Sequence, residues 1–116
     1  ALPTAQRTLE FIANSGNDNL YLLLDSGHLQ MSKEDAPTVI RNAGDRLAYV
    51  HLDDNDGEGD LHWSLLDGVM TEASLKALFD ALDAVGYDDT ISLELHPQLP
   101  DPIDALRRSL AVIKNL

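Results

Sequence analysis

Asn19-Leu20-Tyr21-Leu22-Leu23-Leu24-Asp25 is the stretch on which the fold turns. Its unbroken apolar run, closed by a carboxylate and followed by Ser26-Gly27, is too short for a packed helix and suits a parallel strand buried on both faces. Arg46–Leu52, centred on Leu47-Ala48-Tyr49-Val50, predicts a second strand. Thr90–Leu95, where Ile91, Leu93 and Leu95 alternate with Ser92 and Glu94, predicts a third. Helical patterns separate them. Thr4–Ser15, after Pro3, carries Leu9, Ile12 and Ala13 on one side and stops at Gly16. Asp35–Ala43 holds Val39, Ile40 and Ala43, with Pro37 in the first turn and Gly44 as terminator. Thr71–Val85 is capped by Thr71, spaces Leu75, Leu78, Phe79, Leu82 and Val85 helically, and ends at Gly86. Asp101-Pro102 opens a last helix bearing Ile103, Leu106, Leu110 and Ile113. Alternating helices and strands predict an α/β chain of βαβ units, whose right-handed crossovers bring every strand C-terminus to one rim.

Composition narrows the classes. The 116 residues fit one domain, and 20 acidic against 8 basic side chains give a net charge of -12. That charge repels phosphate backbones, so no nucleic-acid partner is expected. With no cysteine there is no disulfide framework and no thiolate metal site, and a cytoplasmic setting is the expectation. No apolar run approaches the roughly 20 residues that cross a bilayer, so no membrane partner is expected. No Gly-x-Gly-x-x-Gly, phosphate-loop Lys-Ser/Thr or Gly-x-Ser-x-Gly motif occurs.

The strand ends carry the chemistry. Asp25, His51 and Glu94 each stand at or beside the end of an apolar run, and alternation groups Tyr21, Leu23 and Asp25, then Leu47, Tyr49 and His51, then Ser92, Glu94 and His96. Two carboxylates and an imidazole converging on one rim suit Mn²⁺, Mg²⁺ or Zn²⁺. Taken singly, Asp25 or Glu94 also reads as the start of a polar loop, and His51 as a rim histidine. Asp53, Asp54, Asp56, Glu58 and Asp60 read as solvated charge in a long loop from Asp53 to Gly68, and their spacing is not that of an EF-hand. His28 and His62 are close enough in sequence to reach the rim, or to sit on surface loops. Trp63 either walls a pocket or caps the core.

Leu-Leu-Leu-Asp25-Ser-Gly-His28, Tyr-Val-His51-Leu-Asp-Asp-Asn55, Asp60-Leu-His62-Trp63 and Ser-Leu-Glu94-Leu-His96, in this order, resemble the C-terminal part of the sugar phosphate isomerase/epimerase family. This is the xylose-isomerase-like TIM-barrel superfamily, which also includes endonuclease IV. The resemblance implies a divalent metal held by Asp25, His51, Glu94 and a further Glu from an earlier strand. It implies Glu94 as a catalytic acid or base as well as a ligand, and a small sugar or sugar phosphate as substrate. His28, with His62 and Trp63, is implied on the substrate side, while Asp60 and His62 match an Asp-x-His pair that holds extra zinc in the endonucleases. A whole barrel needs eight strands in roughly 250 residues. The chain is therefore read as a partial barrel, a single domain over residues 1–116 formed by the last three parallel strands and their helices. Its open sheet is expected to be completed by a missing N-terminal part or by self-association, with little or no activity alone. A self-associating module without catalysis is the rival reading, and a zinc nuclease remnant a minor one.

Overall fold

Thr4 is the first of the described residues, which run from 4 to 116 in this computed structural model; Pro3 lies outside them. Helix α1, Ala5–Ser15, is capped by the Thr4 side chain, which accepts from the Arg7 amide. A second cap comes from far along the chain: the Glu34 carboxylate accepts from the amides of Ala5 at 2.9 Å and Gln6 at 3.1 Å. Gly16, at φ 66°, then turns the chain left-handed, a conformation that costs glycine little.

Strand β1 is Leu22–Asp25, and helix α2 follows it at once over Ser26–Ser32. This short helix has no counterpart in the sequence pattern, because with seven residues it shows no apolar repeat. Its start signal is Asp25 itself, whose side chain accepts from the His28 amide as N-cap. Helix α3 (Ala36–Ala43), strand β2 (Leu47–Leu52), helix α4 (Glu72–Ala84), strand β3 (Ile91–Leu93) and helix α5 (Pro102–Lys114) match the expected order. The three strands form one parallel sheet in the order β1-β2-β3. Leu22 pairs with Leu47 but Leu23 with Tyr49, so Ala48 is an extra residue in β2. Leu47 therefore lies in the helix-covered core, not on the face of Tyr49 and His51 that strict alternation assigned to it.

Helices cover one face of the sheet. Leu22, Leu24, Leu47, Val50 and Leu52 pack there with Ile12, Leu29, Val39, Ile40, Leu75, Leu78 and Leu82. The other face is open: Tyr21 is 53% and Leu23 51% exposed, where burial on both sides was expected. Helix α5 is seated through Ala105 and Ser109, whose hydroxyl accepts from the Leu65 amide, while Ile103, Leu106 and Leu110 are exposed. Of the apolar residues assigned to that helix, only Ile113 packs against the core. Among the described residues, no helix is long and apolar enough to cross a membrane.

Between β2 and α4 the chain is ordered around a buried carboxylate. Asp54 accepts through Oδ1 from the amides of Asn55 and Met70, and through Oδ2 from that of Gly68. Its own main chain pairs with Trp63 in both directions. Gly68 comes so close to the Asn55 carbonyl that a Cβ would stand 2.0 Å from its oxygen.

Two measurements check these supports. Asp54→Ala strands three amides in a dry environment and is expected to lower stability in urea unfolding by about 3 kcal/mol. Glu34 gives a pH signature. Burial acts to raise its pKa, but hydrogen bonds from Ser32, Ala5 and Gln6 outweigh it, so the folded value lies below the ordinary 4.5. A depressed carboxylate stabilises above its unfolded pKa and loses that contribution as pH falls through the folded one. The stability gap between wild type and Glu34→Gln is thus expected to be full at pH 7 and to close on acidification below 4.5.

Candidate functional site at the strand ends

The parallel register lines up the ends of the strands. Asp25 pairs with His51, and His51 with Ser92, so Asp25, His51 and Glu94 reach one rim from three adjacent segments. Asp25 is buried, and capping α2 occupies its Oδ1, at 3.1 Å from the His28 amide. Its Oδ2 faces His51 Nδ1 at 3.9 Å. On the opposite edge of the ring, His51 Nε2 lies 3.7 Å from Glu94 Oε1. Both distances are too long for hydrogen bonds. Tyr49 braces the imidazole edge to face, with ring centroids 5.0 Å apart. Glu94 is one residue beyond β3, yet its amide continues the ladder to the Leu52 carbonyl at 3.0 Å, while its side chain is 49% exposed and free to swing. His51 thus stands between two carboxylates, presenting a different nitrogen to each. An ion shared by all three requires the ring or one carboxylate to turn.

A tighter group lies beside them. Donor atoms of Asp53, Asp60 and His62 all fall within 4.8 Å of one another. Asp53 is fully buried; its Oδ1 accepts from the Gly27 amide at 2.8 Å, and the Ser26 hydroxyl bonds to its carbonyl at 2.8 Å. His62 Nδ1 is 2.7 Å from the Glu94 carbonyl, which can only accept, so Nδ1 carries the proton. Asp53 Oδ2 lies 2.6 Å from the same nitrogen but out of line with that N–H, and so has no hydrogen-bond donor. The other ring nitrogen meets Asp60 Oδ1 at 3.0 Å, and Asp60 Oδ2 meets His28 Nε2 at 3.4 Å. Main-chain strain marks the spot, since His62 has φ 53°.

Electrostatics follow from crowding. Burial, then the neighbouring Asp25 carboxylate, pushes the Asp53 pKa up to about 7. For His62 burial acts to lower the pKa, but the Glu94 carbonyl and the Asp53, Asp60 and Asp25 carboxylates prevail and raise it.

The rim therefore gathers Asp25, His28, His51, His62 and Glu94, all of them sequence candidates. Trp63 is different: it is held through its main-chain pairing with Asp54, and no polar contact joins its indole to the cluster among the described residues. His96 is exposed, and its Nδ1 accepts from the Gln98 amide in its own turn. Asp53 and Asp54 are wholly buried, which corrects their reading as solvated loop charge, whereas Asp56, Glu58 and Asp60 are exposed. A signal for Asp53 existed: continuing the alternation of β2 past Leu52 puts it on the face of His51. Carboxylates with imidazole suit a borderline divalent cation, and a buried carboxylate oxygen without a donor fits a cation nearby.

Comparisons with known proteins agree with the architecture. L-ribulose 3-epimerase of Mesorhizobium japonicum is 34% identical over 116 residues, covering 99% of this chain and 36% of the relative. D-psicose 3-epimerase of Enterocloster bolteae is 30% identical over 67 residues, covering 54% of this chain and 22% of its own length. Among solved structures, an L-ribulose 3-epimerase superposes with a TM-score of 0.64 at 33% identity, over 95% of this chain and 34% of that one. The 3-keto-D-glucoside 4-epimerase of E. coli superposes with a TM-score of 0.80 at 22% identity, over 97% and 40% respectively, a likeness of fold. The chain spans between 22% and 40% of the length of these relatives. The family profile described as xylose isomerase-like TIM barrel matches residues 2–116, and the chain belongs to that family.

Proposed function

We propose that the chain carries the C-terminal share of a sugar isomerase or epimerase site, with a divalent cation held by Asp25, His51, Glu94 and a ligand from outside these residues. The observation that carries this reading is the register that brings an acid, an imidazole and a second acid to one rim. When bound, such a cation polarises the carbonyl and neighbouring hydroxyl of a sugar and makes the intervening carbon acidic. The half-exposed Glu94 carboxylate takes or returns that proton. His28 and His62 meet substrate hydroxyls, and the protonated Nδ1 fixes which nitrogen His62 turns toward them. Trp63 walls the substrate side. Alone the chain is inactive or weakly active, because the further Glu that the resemblance implies on an earlier strand is not among these residues. The exposed Tyr21 and Leu23 are where the remaining strands pack.

Charge favours a neutral sugar over a sugar phosphate. Barrels often hold phosphate in the loops after their last two strands. Here the segments 53–71 and 94–101 contain no lysine or arginine. Nearby cations are engaged elsewhere, Lys33 by the Gly57 carbonyl at 2.7 Å and Arg108 by Asp67 and Asp104.

Calorimetric titration with Mn²⁺ is expected to give saturable binding that weakens at least about tenfold in His51→Ala and is unchanged in His96→Ala. No saturable binding, or no response to His51→Ala, sinks the metal site and leaves the rival self-associating module, which uses the same exposed apolar residues. In the Mn²⁺ or, for resonance clarity, Mg²⁺ form, a neutral ketose is expected to shift the ring resonances of His28 and His62; a ketose phosphate that binds more tightly overturns the substrate class.

A further inference from the structure

We propose that Asp53, which is not among the ligands proposed above, is the positioning residue of this site: one buried carboxylate that fixes Asp25, the Asp60–His62 turn and the end of β2 relative to one another. The inference rests on the reading above for the identity of the ligands, but its geometry stands without any ion.

The first amides of α2 are divided between two acids. Gly27 donates to Asp53 Oδ1 at 2.8 Å, and His28 donates to Asp25 Oδ1 at 3.1 Å. Because Oδ1 of Asp25 is committed to that helix, Oδ2 is the oxygen left facing His51. The orientation of Asp25 therefore depends on where the first turn of α2 sits, and Asp53 anchors that turn. The Ser26 hydroxyl strengthens the anchor in both directions, donating to the Asp53 carbonyl at 2.8 Å and accepting from its amide at 3.0 Å. Across the carboxylate, Oδ2 abuts His62 Nδ1 at 2.6 Å, so the same side chain limits how far the His62 ring can tilt from the Glu94 carbonyl. Space is as tight as the bonding: a Cβ on Gly27 would lie 2.6 Å from Asp53 Oδ1. Glycine here serves close approach and not turn geometry, since Gly27 is helical.

The test compares wild type, Asp53→Ala and Asp53→Asn by amide hydrogen exchange of the metal-free chain and by Mn²⁺ calorimetry. Asp53→Ala is expected to speed exchange at Gly27 and His28 at least about tenfold and to weaken Mn²⁺ binding by about 10–100-fold. Asp53→Asn keeps an acceptor oxygen in place, and is expected to leave Gly27 protected and the affinity within about threefold of wild type. Unchanged Gly27 exchange in Asp53→Ala overturns the proposal. So does a loss of affinity as large in Asp53→Asn as in Asp53→Ala, which makes Asp53 a ligand or a charge and not a positioner. If Asp53→Ala fails to fold, Gly27→Ala displaces the carboxylate from the other side and is expected to reproduce the fast His28 exchange; wild-type exchange there overturns the proposal. If wild type itself binds no Mn²⁺, the metal-site reading fails while exchange at Gly27 still decides the role of Asp53.

Discussion

Two consecutive carboxylates at the end of β2 have to be buried, and the local structure is arranged to make that tolerable. An ionised acid in a dry interior is costly unless hydrogen bonds surround it. Asp53 and Asp54, both without solvent exposure, solve this in opposite directions. The side chain of Asp53 turns to the start of α2 and to His62; that of Asp54 turns to the amides of Gly68 and Met70. One acid thereby faces the rim and the other secures the segment that leads to α4. Asn55 joins the pair, donating from Nδ2 to the Gly27 carbonyl and accepting from the Gly57 amide. The segment after β2 is irregular in shape but closely determined in position.

The satisfaction of the two acids is unequal. Every oxygen of Asp54 has an amide, whereas Asp53 keeps one oxygen without a donor beside another carboxylate. A carboxyl in that state is less comfortable than packing alone demands, and such discomfort clusters where function requires it. The left-handed backbone of His62 belongs to the same pattern. Stability is held by Asp54, and the tension is held by Asp53, one residue away.

The strands, the four longer helices and the rim acids were legible in the sequence because each rests on a local rule. Apolar runs ending in Asp25, His51 and Glu94 announce both strand and rim, and Thr71, Asp35 and Asp101 announce helix starts. What escaped had non-local causes. Helix α2 is too short for a period to show, and exists because Asp25 and Asp53 accept from its amides. Asp53 and Asp54 looked like solvent-facing charge because the neighbouring Asp56, Glu58 and Asp60 are just that; burial of the first two depends on amides more than ten residues away. Leu106 and Leu110 follow helical spacing yet stay exposed, lining an open hollow with Phe79, Ile91 and Leu93, while Ala105 and Ser109 seat the helix, so the pattern was right about the helix and wrong about its seat. The His51 ring between two acids, addressing each with a different nitrogen, is a matter of side-chain rotation that spacing cannot encode.

The extra residue at Ala48 has a bearing on how such a chain can change over time. It sits at the far end of β2 from His51, between Leu47, whose side chain enters the helix layer, and Tyr49, which pairs with Leu23 on the other face. Ordinarily a strand that gains or loses one residue turns every later side chain over. Here the pairing slips at Ala48, and the register is regular from Tyr49 to His51. An insertion or deletion on the Arg46 side of that point can be absorbed there, so drift in the length of the preceding connection need not reach the rim.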